Sequence, residues 1–155
     1  MSGSWCVRAA THDDVTPAAA AVRELLVELG GTPPSTSAME TAARALLDDR
    51  KAGTLLVAQV DGAIIGVLGA SWQTAIHVPG RYALIQDLWV HRSWRGSSIG
   101  SGLLGALFEL AHELQIARVE VGLPQERYAG LEATEAFYLG NGFTPLGPRM
   151  RRILT

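Results

Sequence analysis

Nine consecutive residues, Trp94 to Gly102, contain one arginine, three glycines and three serines. They sit between a hydrophobic stretch and a long apolar segment that begins at Ile99. Such a run suits a loop that lays bare backbone N–H groups against an anion. Gly96, Gly100 and Gly102 lack Cβ atoms, so a phosphate can approach the backbone. Arg95 adds a fixed positive charge. A helix starting here would offer unpaired N–H groups and about half a positive charge, a combination suited to a pyrophosphate. The plainer alternative is a glycine loop that only eases helix packing. A nucleoside-triphosphate loop is excluded, because no lysine follows Gly100 or Gly102. The dinucleotide pattern GxGxxG fits poorly, since the glycines fall as GxxxGxG.

The flanking elements must hold this loop. Residues 81–91, RYALIQDLWVH, read as a strand. From Gly100 to Gln115, Leu103, Leu107, Leu110 and Leu114 recur at helical spacing. Residues 117–123, ARVEVGL, read as a short buried strand. Strand, helix and strand form a βαβ crossover, so the two strands should run parallel. The loop then lies at the carboxyl end of a strand, where ligands of open α/β sheets gather.

Upstream, residues 4–11 read as a strand. Thr16-Pro17 predicts a helix start, with Val22, Leu25, Leu26 and Leu29 on one face and Gly30-Gly31 as the stop. Ser37 and Glu40 predict a capping box for a second helix to about Arg50, with Ala43, Leu46 and Leu47 inward. Within 54–72, two apolar runs flank Asp61-Gly62, a two-residue hairpin turn. Residues 130–143 predict a helix ending near Asn141-Gly142, and 143–154 one or two terminal strands. The expected order is βααβββαβαβ(β), a mixed sheet with helices on its faces.

A length of 155 residues suits one domain over 1–155. An apolar fraction of 48% and a charged fraction of 18% argue for a packed globule. The net charge of −2 gives no pull toward nucleic acid or an anionic membrane. Cys6 is the one cysteine, so no internal disulfide is expected, and no Cys/His pattern points to a metal. No apolar run approaches the ~20 residues of a membrane span. The start MSGSWCVRAA lacks the basic and apolar regions of a signal peptide. The expectation is a cytoplasmic protein without metal, nucleic-acid or membrane partner.

VHRSWRGSSIGSGLL (90–104) resembles the coenzyme A pyrophosphate loop of the GCN5-related N-acetyltransferase (GNAT) family, R/Q-x-x-G-x-G/A. Arg95, Ser98 and Gly100 fall on its specified positions. Ser98 departs from the usual glycine, which a positive φ would penalise. IQDLWV (85–90) is similar to the family's fourth strand, and EAFYLGNGF (135–143) to its FYxxxGF segment. The element order agrees over nearly the whole chain. The resemblance implies one α/β GNAT-type domain. Its mixed, mostly antiparallel twisted sheet would have six to seven strands and about four helices, with strands four and five parallel and splayed.

What the resemblance implies chemically is an acetyl-CoA-dependent N-acetyltransferase. Arg95, Gly96, Ser97, Ser98, Ile99, Gly100 and Ser101 would hold the cofactor's pyrophosphate. Leu88, Trp89 and Val90 would pair with the pantetheine arm, and one of their N–H groups would stabilise the carbonyl oxyanion. Gln125 would take the place of a cofactor-binding asparagine. An alkyl amine has a pKa near 10.4, so freeing its lone pair at pH 7 costs roughly 4–5 kcal/mol. Asp87 and Glu120 are the candidate bases, working through water, because Gln86 stands where many members carry glutamate. The competing reading for Asp87 is a substrate-amine anchor or a backbone cap, and for Glu120 a solvated strand residue. Tyr138 would protonate the leaving thiolate, its alternative role being a core aromatic beside Phe137 and Phe143. The acceptor would be a small-molecule amine or a protein or peptide amine. Exposed strand edges are compatible with a homodimer, as in the family. A non-catalytic acetyl-CoA sensor of the same fold is the rival reading.

Other residues carry less. His77 lies in the connection that often lines the family's acceptor pocket, though an exposed loop histidine is the plainer reading. His112 is expected in solvent. Trp72 and Trp89 suit an acceptor wall or the core. Arg149, Arg151 and Arg152 suit a contact to the CoA 3′-phosphate or an exposed edge-strand cluster.

Overall fold

The computed structural model describes residues 3–154. The strands are β1 (Cys6–Ala9), β2 (Gly53–Val60), β3 (Ala63–Ala75), β4 (Val78–Val90) and β5 (Val119–Val121). The helices are α1 (Val15–Glu28), α2 (Thr36–Asp48), α3 (Ile99–Glu113) and α4 (Leu131–Gly140). Two 3₁₀ turns, His12–Asp14 and Arg92–Trp94, precede α1 and the serine–glycine loop.

The strands pair in chain order, β1-β2-β3-β4-β5. All pairs are antiparallel except β4–β5, which is parallel, as the crossover requires. The β2–β3 turn has Asp61 at φ 48° and Gly62 at φ 79°, the left-handed pair of a type I′ hairpin.

The sheet has five strands among the described residues, not six to seven. No strand forms in 143–154, where terminal strands were expected. Pro145 and Pro148 remove ladder donors there, and Gly147 turns to φ 136°. Phe143 instead packs on Tyr138, with ring centroids 5.2 Å apart.

Both early helix starts also differ from expectation. Asp14, not Thr16, organises the start of α1. Its Oδ2 accepts the Thr11 amide at 2.7 Å, and Arg8 donates to both carboxylate oxygens at 2.6 and 3.0 Å. That network draws the chain into a turn ahead of Thr16. For α2, the Ser35 hydroxyl accepts from the Ala38 amide at 3.2 Å, so the cap is Ser35 rather than Ser37.

Each sheet face carries its own apolar layer. Leu68, Ala70, Ala83 and Ile85 face Leu103, Leu104 and Leu107 of α3. On the other face, Leu55, Val57, Val67 and Trp89 meet Val15, Ala18, Ala21 and Ala43 of α1 and α2. In α1 the buried positions are Val15 and alanines, while Val22, Leu25, Leu26 and Leu29 are only half-buried. Small side chains let this helix approach the sheet closely.

Candidate functional site

The register between β3 and β4 slips at one place. Gly69 pairs with Asp87 and Ala70 with Ile85, leaving Gln86 as an extra residue in β4. Such a bulge re-aims every side chain beyond it. Ala83 and Ile85 face α3, and without the bulge Asp87 and Trp89 would too. Instead Leu88 and Val90 pack toward α3, while Trp89 lies in the α1–α2 layer. Asp87 follows Trp89's side, opposite Gly69 and close to Leu46 and Leu55.

The β4–β5 pairing is brief. It covers Ala83–Val119, Leu84–Glu120 and Ile85–Val121, whereas β4 continues to Val90. Beyond Ile85, one edge of β4 has no strand partner among the described residues. His91 donates its amide to Ile65 at 2.8 Å, which fixes the alternation of the antiparallel ladder. By that alternation the Trp89 amide points to β3, and those of Leu88 and Val90 point to the open edge. The Val90 carbonyl confirms the direction, since it accepts from the Arg95 guanidinium rather than from β3.

The loop leaves this open edge. Trp94 and Ile99 are buried and anchor it, while Arg95 to Ser98 are exposed. Gly96 has φ 82° and Ser98 φ 66°, so Ser98 adopts the left-handed conformation that its position in the loop demands. Ser97 and Gly102 donate to Trp94 and Ser98 carbonyls. The amides of Gly96, Ser98, Ile99, Gly100 and Ser101 have no hydrogen-bond partner among the described residues. Five free donors therefore gather at the amino end of α3, where the helix dipole favours an anion.

The glycines divide their work. A Cβ on Gly96 would meet open space. One on Gly100 would lie 2.9 Å from the Phe137 ring, and one on Gly102 2.6 Å from the Trp5 ring. Packing therefore accounts for the missing side chains at Gly100 and Gly102, and freedom of the loop backbone for Gly96.

Arg95 does not turn its charge toward the free amides. Its Nε donates to Val90 O at 3.0 Å, and its Nη2 donates to Glu28 Oε1 and Oε2 at 2.8 and 2.9 Å.

The two candidate bases differ in environment. Asp87 is half-buried with no ion-pair partner among the described residues, and burial raises its carboxyl above the ordinary value. Glu120 is held by Arg118, whose Nε lies 3.0 Å from Oε2. On the α1–α2 side, beyond the apolar layer, the sheet carries a short polar strip. Gln73 and Gln86 both donate to the Ser71 hydroxyl, at 2.8 and 2.9 Å. The alternation Gly69, Ser71, Gln73 against Leu68, Ala70, Trp72 is the sequence signal for this strip.

Tyr138 lies on the opposite side of the sheet, in the α3 layer at 7% exposure. Phe137 and Phe143 meet its ring edge-on at 5.1 and 5.2 Å. Burial pushes its hydroxyl up to about 12, so it stays protonated at neutral pH. Gln125 is exposed in the loop after β5, where its carbonyl accepts from the Tyr128 amide.

The remaining residues fall elsewhere. Trp72 and Trp89 occupy opposite layers and cannot form one wall. The Trp72 indole donates to Arg50 O at 3.0 Å, and the buried Trp89 indole N–H has no partner among the described residues. His77 and His112 are exposed. Arg149 lies against Gly122 at the end of β5, on irregular chain rather than an edge strand. An open recess of about 530 Å³ beside the β2–β3 turn, lined by Val60, Asp61, Ile64, His91 and Trp94, holds none of the candidate residues. Among the described residues, no group of three or more His, Cys, Asp or Glu is placed to hold a metal ion. Nor is any helix among the described residues long and apolar enough to cross a membrane.

With this geometry in place, comparison identifies the lineage. Residues 19–143 match the model of the acetyltransferase (GNAT) family, and the chain belongs to that family. No curated protein matches the sequence. Among solved structures, a predicted acetyltransferase from Clostridium acetobutylicum with acetyl-CoA is 17% identical, with a TM-score of 0.79 over 97% of this chain and 96% of that one. Glucosamine-6-phosphate N-acetyltransferase from Arabidopsis thaliana is 13% identical, with a TM-score of 0.77 over 98% and 99%. The aminoglycoside N-acetyltransferase AAC(6')-Iy in complex with CoA is 13% identical, with a TM-score of 0.81 over 99% and 97%. At these identities the likeness is one of fold.

Proposed function

We propose that this chain, acting as one domain over 1–155, transfers the acetyl group of acetyl-CoA directly to an amine. The observation that carries this reading is the open edge of β4, with five unpartnered amides at its mouth and Asp87 and Tyr138 on opposite sides of the sheet. The free loop amides of Gly96, Ser98, Ile99, Gly100 and Ser101 hold the diphosphate. Leu88 and Val90 would hold the pantetheine arm through their backbone groups on the unpaired edge of β4. An N–H there faces the thioester carbonyl and stabilises the oxyanion as the amine adds.

The amine approaches from the α1–α2 side. Asp87 accepts its proton, directly or through water, and the nitrogen lone pair attacks the carbonyl carbon. The C–S bond then breaks. Tyr138, kept neutral by burial, donates its proton to the departing sulfur on the α3 side. Asp87 is preferred to Glu120 as the base because Arg118 already engages Glu120.

Bound acetyl-CoA would supply the activated acyl group, and the chain supplies position, charge and protons. The test is calorimetric titration with acetyl-CoA, followed by thiol release with a panel of amines. Amino sugars and aminoglycosides belong in that panel, because two proteins of like fold act on them. Binding with turnover supports the proposal. Binding without turnover across the panel favours a sensor, and no binding ends it.

A further inference from the structure

We infer that Glu28 is a positioning residue for the cofactor loop, acting through Arg95; the inference rests on the acetyl-CoA reading above. Glu28 is the last residue of α1, and Arg95 is the first residue of the loop motif, 67 positions later. A carboxylate at a helix carboxyl end opposes the helix dipole, so it does not serve α1 on its own account. It serves Arg95. Both carboxylate oxygens receive Nη2 at 2.8 and 2.9 Å, and this leaves Nε aimed at Val90 O at 3.0 Å.

One guanidinium thereby joins three pieces of chain: the end of α1, the end of β4 and the start of the loop. The tie keeps the Arg95 side chain off the five free amides. It also fixes the point from which the loop departs. Without Glu28, Arg95 keeps a single anchor, and the loop must be ordered when the anion arrives. Ordering at the moment of binding weakens affinity.

The experiment measures acetyl-CoA affinity by calorimetry, and steady-state kinetics, for the unaltered protein, Glu28→Gln, Arg95→Gln and the double variant. Glu28→Gln is expected to weaken acetyl-CoA binding about three- to fivefold, with kcat and the amine KM retained, the scale of a charge-assisted, partly exposed pair. In the Arg95→Gln background the same change should add nothing. Arg44→Gln, which removes the exposed Arg44–Glu40 pair on α2, should leave binding unchanged. Unchanged or tighter binding by Glu28→Gln overturns the inference. So does a loss that persists undiminished without Arg95. If the unaltered protein binds no acetyl-CoA, the functional proposal falls and this inference with it. If it binds and the variants do not differ, the inference alone falls.

Discussion

Gly69 on β3 stands directly opposite Asp87 on β4, and a Cβ built on Gly69 would lie 3.8 Å from the Asp87 Oδ2. The glycine leaves the carboxylate room on the α1–α2 side, next to Leu46 and Leu55 rather than beside a cation. A carboxyl raised by burial is more stable neutral in the folded state than in the unfolded chain. Its stability contribution is therefore full below the unfolded value of 3.8 and declines as pH rises through the raised folded value. Asp87→Asn should raise Tm at pH 7, and that gain should vanish below the ordinary carboxylate range. The same variant should lower kcat/KM about 100-fold and abolish the acid limb of the pH–rate profile. Thermal melts at pH 3 and pH 7, paired with pH–rate profiles, check both halves.

Tyr138→Phe tests the proton donor. Turnover should fall about 100-fold, while the Kd for acetyl-CoA stays within about twofold of the unaltered protein. The raised hydroxyl also leaves a mark on stability. Below pH 10 the tyrosine is neutral in both states, and between 10 and about 12 only the unfolded chain ionises. Folding stability should therefore drop across that window by an amount on the order of 2–3 kcal/mol. Denaturant titrations from pH 9 to pH 12 should show this drop in the unaltered protein and lose it in Tyr138→Phe.

Ser98→Gly addresses the left-handed residue at the start of α3. A non-glycine residue at φ 66° carries local strain, which glycine relieves at the expense of a freer unfolded chain. The net effect should be a gain of about 0.5–1 kcal/mol in urea unfolding. Acetyl-CoA should bind at least as tightly, since the loop amides keep their directions. A loss of stability would mean that the serine hydroxyl matters more than the backbone.

Asp14→Ala probes the joint that starts α1. Asp14 is buried, and its hydrogen bond with Arg8 holds its carboxyl below the ordinary value, with the Thr11 amide adding to the effect. Its contribution is present above pH 3.8 and is lost as pH falls through the depressed folded value. Removal should cost about 2–3 kcal/mol at pH 7, because charge-assisted bonds are broken and the Thr11 amide is left unpaired. The cost should shrink in strong acid. Denaturant unfolding at pH 7 and pH 2 distinguishes this from a loss of packing, which would not depend on pH.

The loop and the crossover around it were legible because their signals are local: glycine and serine chemistry in one run, leucines at helical period in the next. The hairpin at Asp61-Gly62 was legible for the same reason. The bulge at Gln86 was not. Leu84, Ile85, Leu88, Trp89 and Val90 are apolar on both sides of β4, so no alternation marks where the faces exchange. The apolar face of α1 was legible in part: Val22 and Leu25 do pack against the α1–α2 layer, but the closest approach to the sheet is made by Val15 and small alanines, which carry little hydrophobic signal. Prolines flanking Gly147 were a local warning against terminal strands. The Glu28–Arg95 pair had no local signal, since nothing in either neighbourhood refers to the other.

The ordering of the sheet bears on how the chain assembles. Each strand lies beside its predecessor in sequence, so β2, β3 and β4 can zip together from one tight turn and its neighbour, with little loop entropy to overcome. Joining β5 demands a long detour through α3 for only three residue pairs. Amide exchange should accordingly be slowest in the central meander and fastest at that last seam. The proposed thioester channel is thus cut into the part of the molecule that opens at the least energetic cost.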